Sequence, residues 1–530
     1  MRNLGLVLLV AVAMSARFAF LCDDAYIGFR YSRNLARGLG PVFNPADAAP
    51  VEGYSNLGWV LYGALFEGLL LDTTLWLPLT SACIGLVGVG LVDRWGREHL
   101  GLGARASVVA AALVGTCPAW AVWSTGGLET VPFAVAVLWW FERAVLAERA
   151  SVGSLVVAGL LVMLLRIEGA GWVLAGLGLG LLRSGDPTRL RTAGLVLAGL
   201  FAAYSGWRLW TFGTLVPHTA VVKVAFGVAR LDRGLRYVAL FAVTFGTPVL
   251  AALAVPWVAR DRAFRAIAVM GLGAAVFAVL AGGDFLPMGR MLVVGLPFLA
   301  WLLGAAVQRI DDRWGPTSAW LAGAGVLLVQ LLPAFGASIA PVPLQEALHI
   351  RATDAGPMTE LARWDRTAQN ARGFAVRGRA LAVHAVPGSS LVAPAVGAVG
   401  YWSDLTILDQ HGLVTREVGE RAVGPDEAPR SPGHDKYVEA AYFAPLHPTL
   451  LHSKVVRGQR GPRRMRELVE SWDIPVALQG EYAPRFVELD LPDRSERHFL
   501  VLVERLGPDE DAAEAWQSFF DDTRMLAADL

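Results

Sequence analysis

The sequence predicts a mostly α polytopic membrane protein that continues into a small water-soluble α/β domain, and three observations predict it. Hydrophobic residues fill 55% of the 530 positions, only 17% are charged, and the mean hydropathy is +0.47. A soluble chain is about a quarter charged. The apolar residues also cluster, so that before position 340 the chain is a series of long apolar runs separated by short polar loops. After Pro341 the composition turns soluble, which divides the chain into a membrane part, 1–338, and an extracytoplasmic part, 339–530.

A helix of about 20 apolar residues crosses a bilayer, and short loops rich in Lys and Arg stay in the cytoplasm. These rules give eleven spans, at roughly 4–21, 74–92, 104–122, 130–147, 151–165, 169–182, 192–211, 238–258, 266–281, 290–306 and 317–336. Arg94, Arg97 and Arg105 mark one inner loop, Arg143 and Arg149 a second, and Arg183, Arg189 and Arg191 a third. Arg260, Arg262 and Arg265 mark a fourth, and Arg309 and Arg313 a fifth. The N-terminus is then cytoplasmic and the C-terminal domain extracytoplasmic. The stretch LGWVLYGALFEGLLL (57–71) is apolar enough to cross, but counting it would put the basic loop at 93–105 outside, and it carries Glu67. It reads as an interfacial helix on the outer leaflet. The spans 151–165 and 169–182 are short and read as a thinned or partly re-entrant pair. Arg2 and the small residues near Ala13 and Ala16 offer a cleaved signal peptide as the alternative for the first helix, although the apolar run continues to Leu21.

The balance of 46 basic and 46 acidic residues carries no nucleic-acid footprint. Cys22, Cys83 and Cys117 have neither metal-ligand spacing nor a disulfide pattern. The polar loops too elaborate to be connectors all face outward under this topology. They are CDDAYIGFRYSRN, GGLET (126–130), RIEG (166–169), GTLVPHTAVVKV (213–224) and GGDFLPMGR (282–290). Their convergence on one boundary is the layout of an active site, and equally of a transporter.

In the first loop, Asp23 and Asp24 open a helical pattern in which Ile27, Tyr31 and Leu35 share one face and Arg30, Arg33 and Arg37 another, ending at Gly38. The pattern predicts an interfacial helix with its apolar side in lipid, its arginines among headgroups and Asp24 as N-cap. Capping accounts for one carboxylate and leaves the other for function. Glu129, Glu168 and Asp284 are lone acids at helix ends, and Arg166, His218, Lys223 and Arg290 are cations at the same depth. Each cation alone reads as snorkelling to headgroups. Together they make a boundary pocket of carboxylates and phosphate-binding cations, suited to a lipid phosphate and a hydroxyl.

The block DDAYIGFRYSRNLARGLGPVFNP…VEGYSNLGW resembles the first outer loop of a bacterial family of GT-C membrane glycosyltransferases, which includes the actinobacterial terminal arabinofuranosyltransferase. GLET, RIEG, LVPHTAVVK, GGDFLPMGR and GAVGYWSDLTILDQHGL (397–413) follow in the family's order. Ile167 departs from its usual proline and His218 from an expected asparagine. The resemblance implies a GT-C-like fold in the bacterial plasma membrane, and transfer of a sugar from a polyprenyl-phosphate donor to a cell-envelope glycan or glycolipid acceptor. It implies an Asp general base, Asp23 or Asp24, with Asp23 preferred because Asp24 is the better cap. The second Asp would raise its partner's pKa, orient the acceptor or hold a divalent cation such as Mg, Mn or Ca. Lys223, Arg290, Arg166 and His218 would meet the donor phosphate. Glu52 and Tyr54 of the VEGY block would contact substrate, with Glu129, Glu168, Asp284 and His411. The absence of a Gly-rich phosphate loop or Rossmann fingerprint agrees with a donor that is not a nucleotide.

In the soluble part, SSLVAPAVGAVGYW, DLTILDQHGL, PVALQ, RFVELDL and HFLVLVERL read as strands, and the acidic tail as a loosely docked amphipathic helix. His411 and His434 read as buried structural histidines, with acceptor contact as the alternative. Two other classes of function stay open on the residues alone. Against a transporter or flippase stand the lack of an internal repeat, the placement of the acids at helix ends and the soluble outer domain. A catalytically silent scaffold would tolerate loss of both aspartates.

Overall fold

Helices form wherever the apolar runs predict them, and Gly, Pro and capping acids decide where they stop. The computed structural model describes residues 2–222, 227–348, 358–421, 434–458, 461–491 and 497–528. The first part comprises α1 (Arg2–Arg17), α2 (Asp23–Ala36), α3 (Leu57–Gly68), α4 (Thr73–Leu100), α5 (Ala104–Gly115), α6 (Pro118–Thr125) and α7 (Thr130–Phe141). It continues through α8 (Val152–Leu165), α9 (Gly169–Arg183), α10 (Thr188–Phe212), α11 (His218–Val221), α12 (Val228–Phe245), α13 (Thr247–Val258), α14 (Arg262–Ala281) and α15 (Leu296–Leu331). Asp72 caps α4 by accepting the Thr74 N–H, and Gly101, in the left-handed region, ends it.

By length and composition, α4, α14 and the stretch Arg290–Phe335 are each able to cross a membrane. Two expected spans are broken instead of straight. The 104–122 run becomes α5 and α6, bent by 53° at Pro118, whose missing N–H cannot continue the ladder. The 238–258 run becomes α12 and α13, bent by 88° at Gly246. The long α15 is two arms hinged at Gly315 (φ 81°, ψ 177°), ahead of Pro316. Its first arm meets the start of α5, where Gln308 accepts the Gly103 N–H and Arg105 pairs with Asp311. Its second arm meets the end of α5, where Gln330 donates to the Leu113 carbonyl. The arms therefore run antiparallel, as the basic Arg309/Arg313 turn predicts.

The remainder holds α16 (Val342–Ala347), α17 (Glu360–His384), α18 (Gly397–Ser403), α19 (Arg416–Glu420), α20 (Gly461–Ser471), α21 (Val476–Gln479) and α22 (Ala512–Ala528). Its five-stranded sheet has the order β2-β1-β3-β5-β4, with β1 (Ser390–Ala393), β2 (Thr406–Asp409), β3 (Leu450–Arg457), β4 (Tyr482–Leu489) and β5 (His498–Arg505). β1 is parallel to β2 and β3, and the other pairs are antiparallel. PVALQ, expected as a strand, is the short helix α21. The tail helix α22 docks firmly, with Phe519 buried and the Trp516 indole donating to the Tyr482 carbonyl at 2.9 Å.

The main correction concerns α2. Its arginines do not sit among lipid headgroups but close a seam with α18. Arg30, 1% exposed, donates to the carbonyls of Phe43 (2.8 Å), Gly400 (2.7 Å) and Leu405 (2.7 Å). Arg33 donates to the Tyr401 carbonyl and Arg37 pairs with Asp404. The apolar side, Ile27 and Tyr31, packs under Val396, Val399 and Ile407. An apolar helix face has the same composition whether lipid or protein covers it, so periodicity could not tell the two apart.

Candidate active site

The carboxylate pair opens α2 at the edge of a polar cavity of about 360 Å³. Asp23 and Asp24 share its wall with Tyr54, Asn56, Glu129, Arg166, Thr219, Asp284 and Arg290 from the loops of the first part. Thr367, Asn370 and Phe374 enter from α17, and Asp409, His411 and His434 from the loops around the sheet. Loops hundreds of residues apart thus meet at one point.

The two aspartates do different things. The N-cap position of α2 is Cys22, with no side-chain cap bond, so Asp24 is not the cap the sequence suggested. Asp23 instead accepts the Gly397 N–H (3.2 Å) and the Ala398 N–H (2.8 Å), capping the first turn of α18 across the seam. Burial raises the Asp23 pKa, opposed by those two N–H groups and by the Arg377 guanidinium. The close approach demands glycine, since a Cβ on Gly397 would lie 2.0 Å from the Asp23 carbonyl oxygen. The ground for preferring Asp23 as base is therefore reversed: Asp24 is the carboxylate not committed to α18, and it lies within electrostatic reach of Arg290.

Acids hold both arginines of the wall. Arg290 Nε donates to Asp284 at 2.6 Å, and Asp284 also accepts the Leu286 N–H. Arg166 Nη1 donates to Glu129 at 2.6 Å, and Nε to Glu168. Asn56 donates to the other Glu129 oxygen. Arg290 is held through Nε alone, and Arg166 through Nε and Nη1 by two different acids. Among the described residues, the Arg290 Nη atoms and Arg166 Nη2 have no hydrogen-bond acceptor.

Not every expected residue reaches the cavity. Glu52 pairs with Arg208 at 2.9 Å, both 1% exposed, in a buried ion pair away from the wall. Glu168 lines a small adjoining void with Arg166 and Arg290. His218 turns its Nε2 to the Gly412 carbonyl at 2.9 Å and braces the DQHGL turn, because its ring faces α19 and not the cavity. Lys223 lies outside the described residues. Tyr54 is buried with its hydroxyl free of any described partner. His411 donates its Nδ1–H to the Lys436 carbonyl at 2.8 Å and packs edge-on against His434 at 4.7 Å.

Sequence reading missed Asn56, Thr219, Thr367, Asn370 and Asp409. Thr367, Asn370 and Phe374 have helical spacing, but nothing in the sequence brings α17 to the first loop. Asp409 accepts the N–H groups of His411 and Val414, shaping the turn that presents His411. Both Asp23 oxygens accept backbone N–H groups, and among the described residues no three His, Cys, Asp or Glu side chains form a group able to hold a metal.

Several known proteins are similar to this chain. Residues 362–489 match a family described as a domain of unknown function (DUF8728). A protein named terminal beta-(1->2)-arabinofuranosyltransferase from Mycobacterium tuberculosis is 28% identical over 58% of this chain and 56% of its own length. Its namesake from Corynebacterium glutamicum is 29% identical over 56% of this chain and 49% of its own length. The chain thus spans about half the length of the curated relatives it matches. ArnT from Cupriavidus metallidurans shares the fold at a TM-score of 0.51 and 14% identity, over 94% of this chain and 97% of that one. Mostly helical with a small C-terminal sheet, the chain shares the fold of ArnT and is similar in sequence to proteins named terminal beta-(1->2)-arabinofuranosyltransferase, as the loop motifs implied.

Proposed function

We propose that the chain transfers a sugar, arabinofuranose by the names of its relatives, from a polyprenyl-phosphate donor to a hydroxyl of a cell-envelope glycan or glycolipid. The observation that carries this reading is one cavity walled by the Asp23–Asp24 pair and by two arginines that acids orient while Nη groups stay without an acceptor among the described residues. Asp24 takes the proton of the acceptor hydroxyl as its oxygen attacks the anomeric carbon. The bond from that carbon to the phosphate oxygen breaks, and polyprenyl phosphate leaves with the electron pair. Arg290 and Arg166 offer N–H donors to the departing phosphate, and Lys223 supplies a further cation. That third cation matters because five carboxylates of the wall, Asp23, Asp24, Glu129, Asp284 and Asp409, outnumber its two arginines. Direct displacement inverts the anomeric centre. Asp23 positions the pair by capping α18, and Tyr54 and His411 meet substrate hydroxyls.

The same proposal sets the chain in the bacterial plasma membrane with eleven crossings, a cytoplasmic N-terminus and the part after 338 outside. The antiparallel arms of α15 support two crossings there. The lipid-like exposed face of α3, Leu61, Leu65 and Leu69, with Glu67 bonded to the Tyr401 hydroxyl at 3.1 Å, supports an interfacial helix beside α18. A cysteine at position 187 should resist an impermeant outer-face reagent in intact cells, and its labelling would reverse the orientation. Purified protein should release polyprenyl phosphate and glycosylate the acceptor only when both are supplied. Movement of intact lipid-linked sugar across the membrane without transfer would replace the enzyme with a flippase.

A further inference from the structure

A second cavity, about 770 Å³, lies on the opposite side of α17 from the polar one. It runs down α1 and the first turns of α4, past Val12, Ala16, Leu79 and Leu86, and contains no carboxylate. None of its lining residues lines the polar cavity. Arg372 and Arg379, one face of α17 apart by seven residues, form its rim and are exposed. The Arg379 guanidinium carbon lies 3.9 Å from the centre of the Trp402 ring, a cation–π contact that uses none of its N–H donors in a hydrogen bond. Among the described residues, no carboxylate pairs with either arginine.

We propose that this groove binds an anionic phospholipid of the surrounding bilayer, with its chains along α1 and α4 and its phosphate on Arg372 and Arg379. The donor lipid is excluded by position, because its phosphate belongs at Arg166 and Arg290, on the far side of the wall that α2 and α17 form. A chain that leaves the bilayer for the groove exchanges one apolar environment for another, so the headgroup contacts set the selectivity. Two arginines near a membrane surface, at about 1 kcal/mol each, give roughly a thirtyfold preference for an anionic over a zwitterionic lipid. Since α17 walls both cavities, the bound lipid braces the helix that carries Thr367, Asn370 and Phe374.

The test uses the full-length protein in vesicles of phosphatidylcholine with or without phosphatidylglycerol, reading bound lipid by native mass spectrometry and the thermal midpoint. Wild type should retain phosphatidylglycerol preferentially and melt higher when it is present. The Arg372→Ala, Arg379→Ala double variant should lose the preference while its midpoint in phosphatidylcholine alone matches wild type. Ala16→Trp, which fills the groove and leaves the arginines, should lose bound lipid of either kind. An unchanged preference in the double variant, or undiminished phosphatidylglycerol in Ala16→Trp, would overturn the proposal. So would release of polyprenyl phosphate in place of phosphatidylglycerol when the groove is filled.

Discussion

The seam between α2 and α18 and the wall of the polar cavity both bury arginines near the start of α2, and they use them in opposite ways. In the seam, all three Arg30 nitrogens donate to backbone carbonyls, and Arg30 also stacks on Phe43 at 4.4 Å. Burial lowers its pKa to about 10, which leaves it charged at neutral pH. In the wall, Asp284 holds Arg290 through Nε, Glu168 and Glu129 hold Arg166 through Nε and Nη1, and the remaining Nη groups have no acceptor among the described residues. A guanidinium that bonds to carbonyls through all three nitrogens and is only 1% exposed is closed to a ligand. One held by acids with an Nη group left over is already oriented for a phosphate and loses little freedom on binding it. The same residue type is structural in one place and poised for an anion in the other.

The comparison breaks most clearly at the paired aspartates. Asp24→Asn should lower turnover by about 10²–10⁴, the usual contribution of a general base, with donor binding retained. If Asp23→Asn shows that loss and Asp24→Asn does not, the assignment of base and cap is inverted. Next comes the wall: Arg290→Ala removes a charge-assisted contact worth about 1.5–3 kcal/mol, so kcat/KM should fall roughly ten- to a hundredfold. Lys223→Ala should act in the same direction. Normal donor kinetics in both variants would put the phosphate elsewhere.

The seam should respond in stability and not in chemistry. Arg30→Lys keeps the charge but cannot reach three carbonyls, and should destabilise the fold by about 1–3 kcal/mol while turnover per folded molecule stays close to wild type. Gly397→Ala drives a Cβ into the Asp23 backbone and should have a similar effect, about 1–3 kcal/mol. A selective loss of donor affinity in either would merge seam and site. The smallest effect concerns pH. Burial raises the Asp23 pKa, so the folded state binds a proton more tightly than the unfolded one. Stability should then fall as pH rises from the ordinary carboxylate value of about 4 through the raised one, and Asp23→Asn should flatten that slope in a heat-inactivation series.

Much of the site was legible because its residues sit in short polar blocks between apolar runs. Asp23, Asp24, Tyr54, Glu129, Arg166, Asp284, Arg290 and His411 all reach one cavity. His218, Glu52 and Glu168 do not, and the reason is common to them: a loop's position fixes where its backbone lies but not which way a side chain turns. His218 stands three residues before Thr-Ala-Val has closed a single helical turn, and its ring found the Gly412 carbonyl. α17 was missed as a wall because its Thr367–Asn370–Phe374 face is polar and apolar in equal measure, like any surface helix.

The sequence by itself determined which segments are apolar helices and that polar, charged loops gather beside a soluble strand-bearing region. Those properties are local: they follow from periodicity, caps and composition within a few turns of chain. Only the tertiary structure decided what covers α2, since lipid and protein satisfy the same apolar face. It alone decided which aspartate is committed, because the choice depends on the N–H groups of Gly397 and Ala398, more than 370 residues away. The division between seam and site is a matter of which acceptors surround each guanidinium, and acceptors brought together by long-range packing leave no periodic trace in the chain.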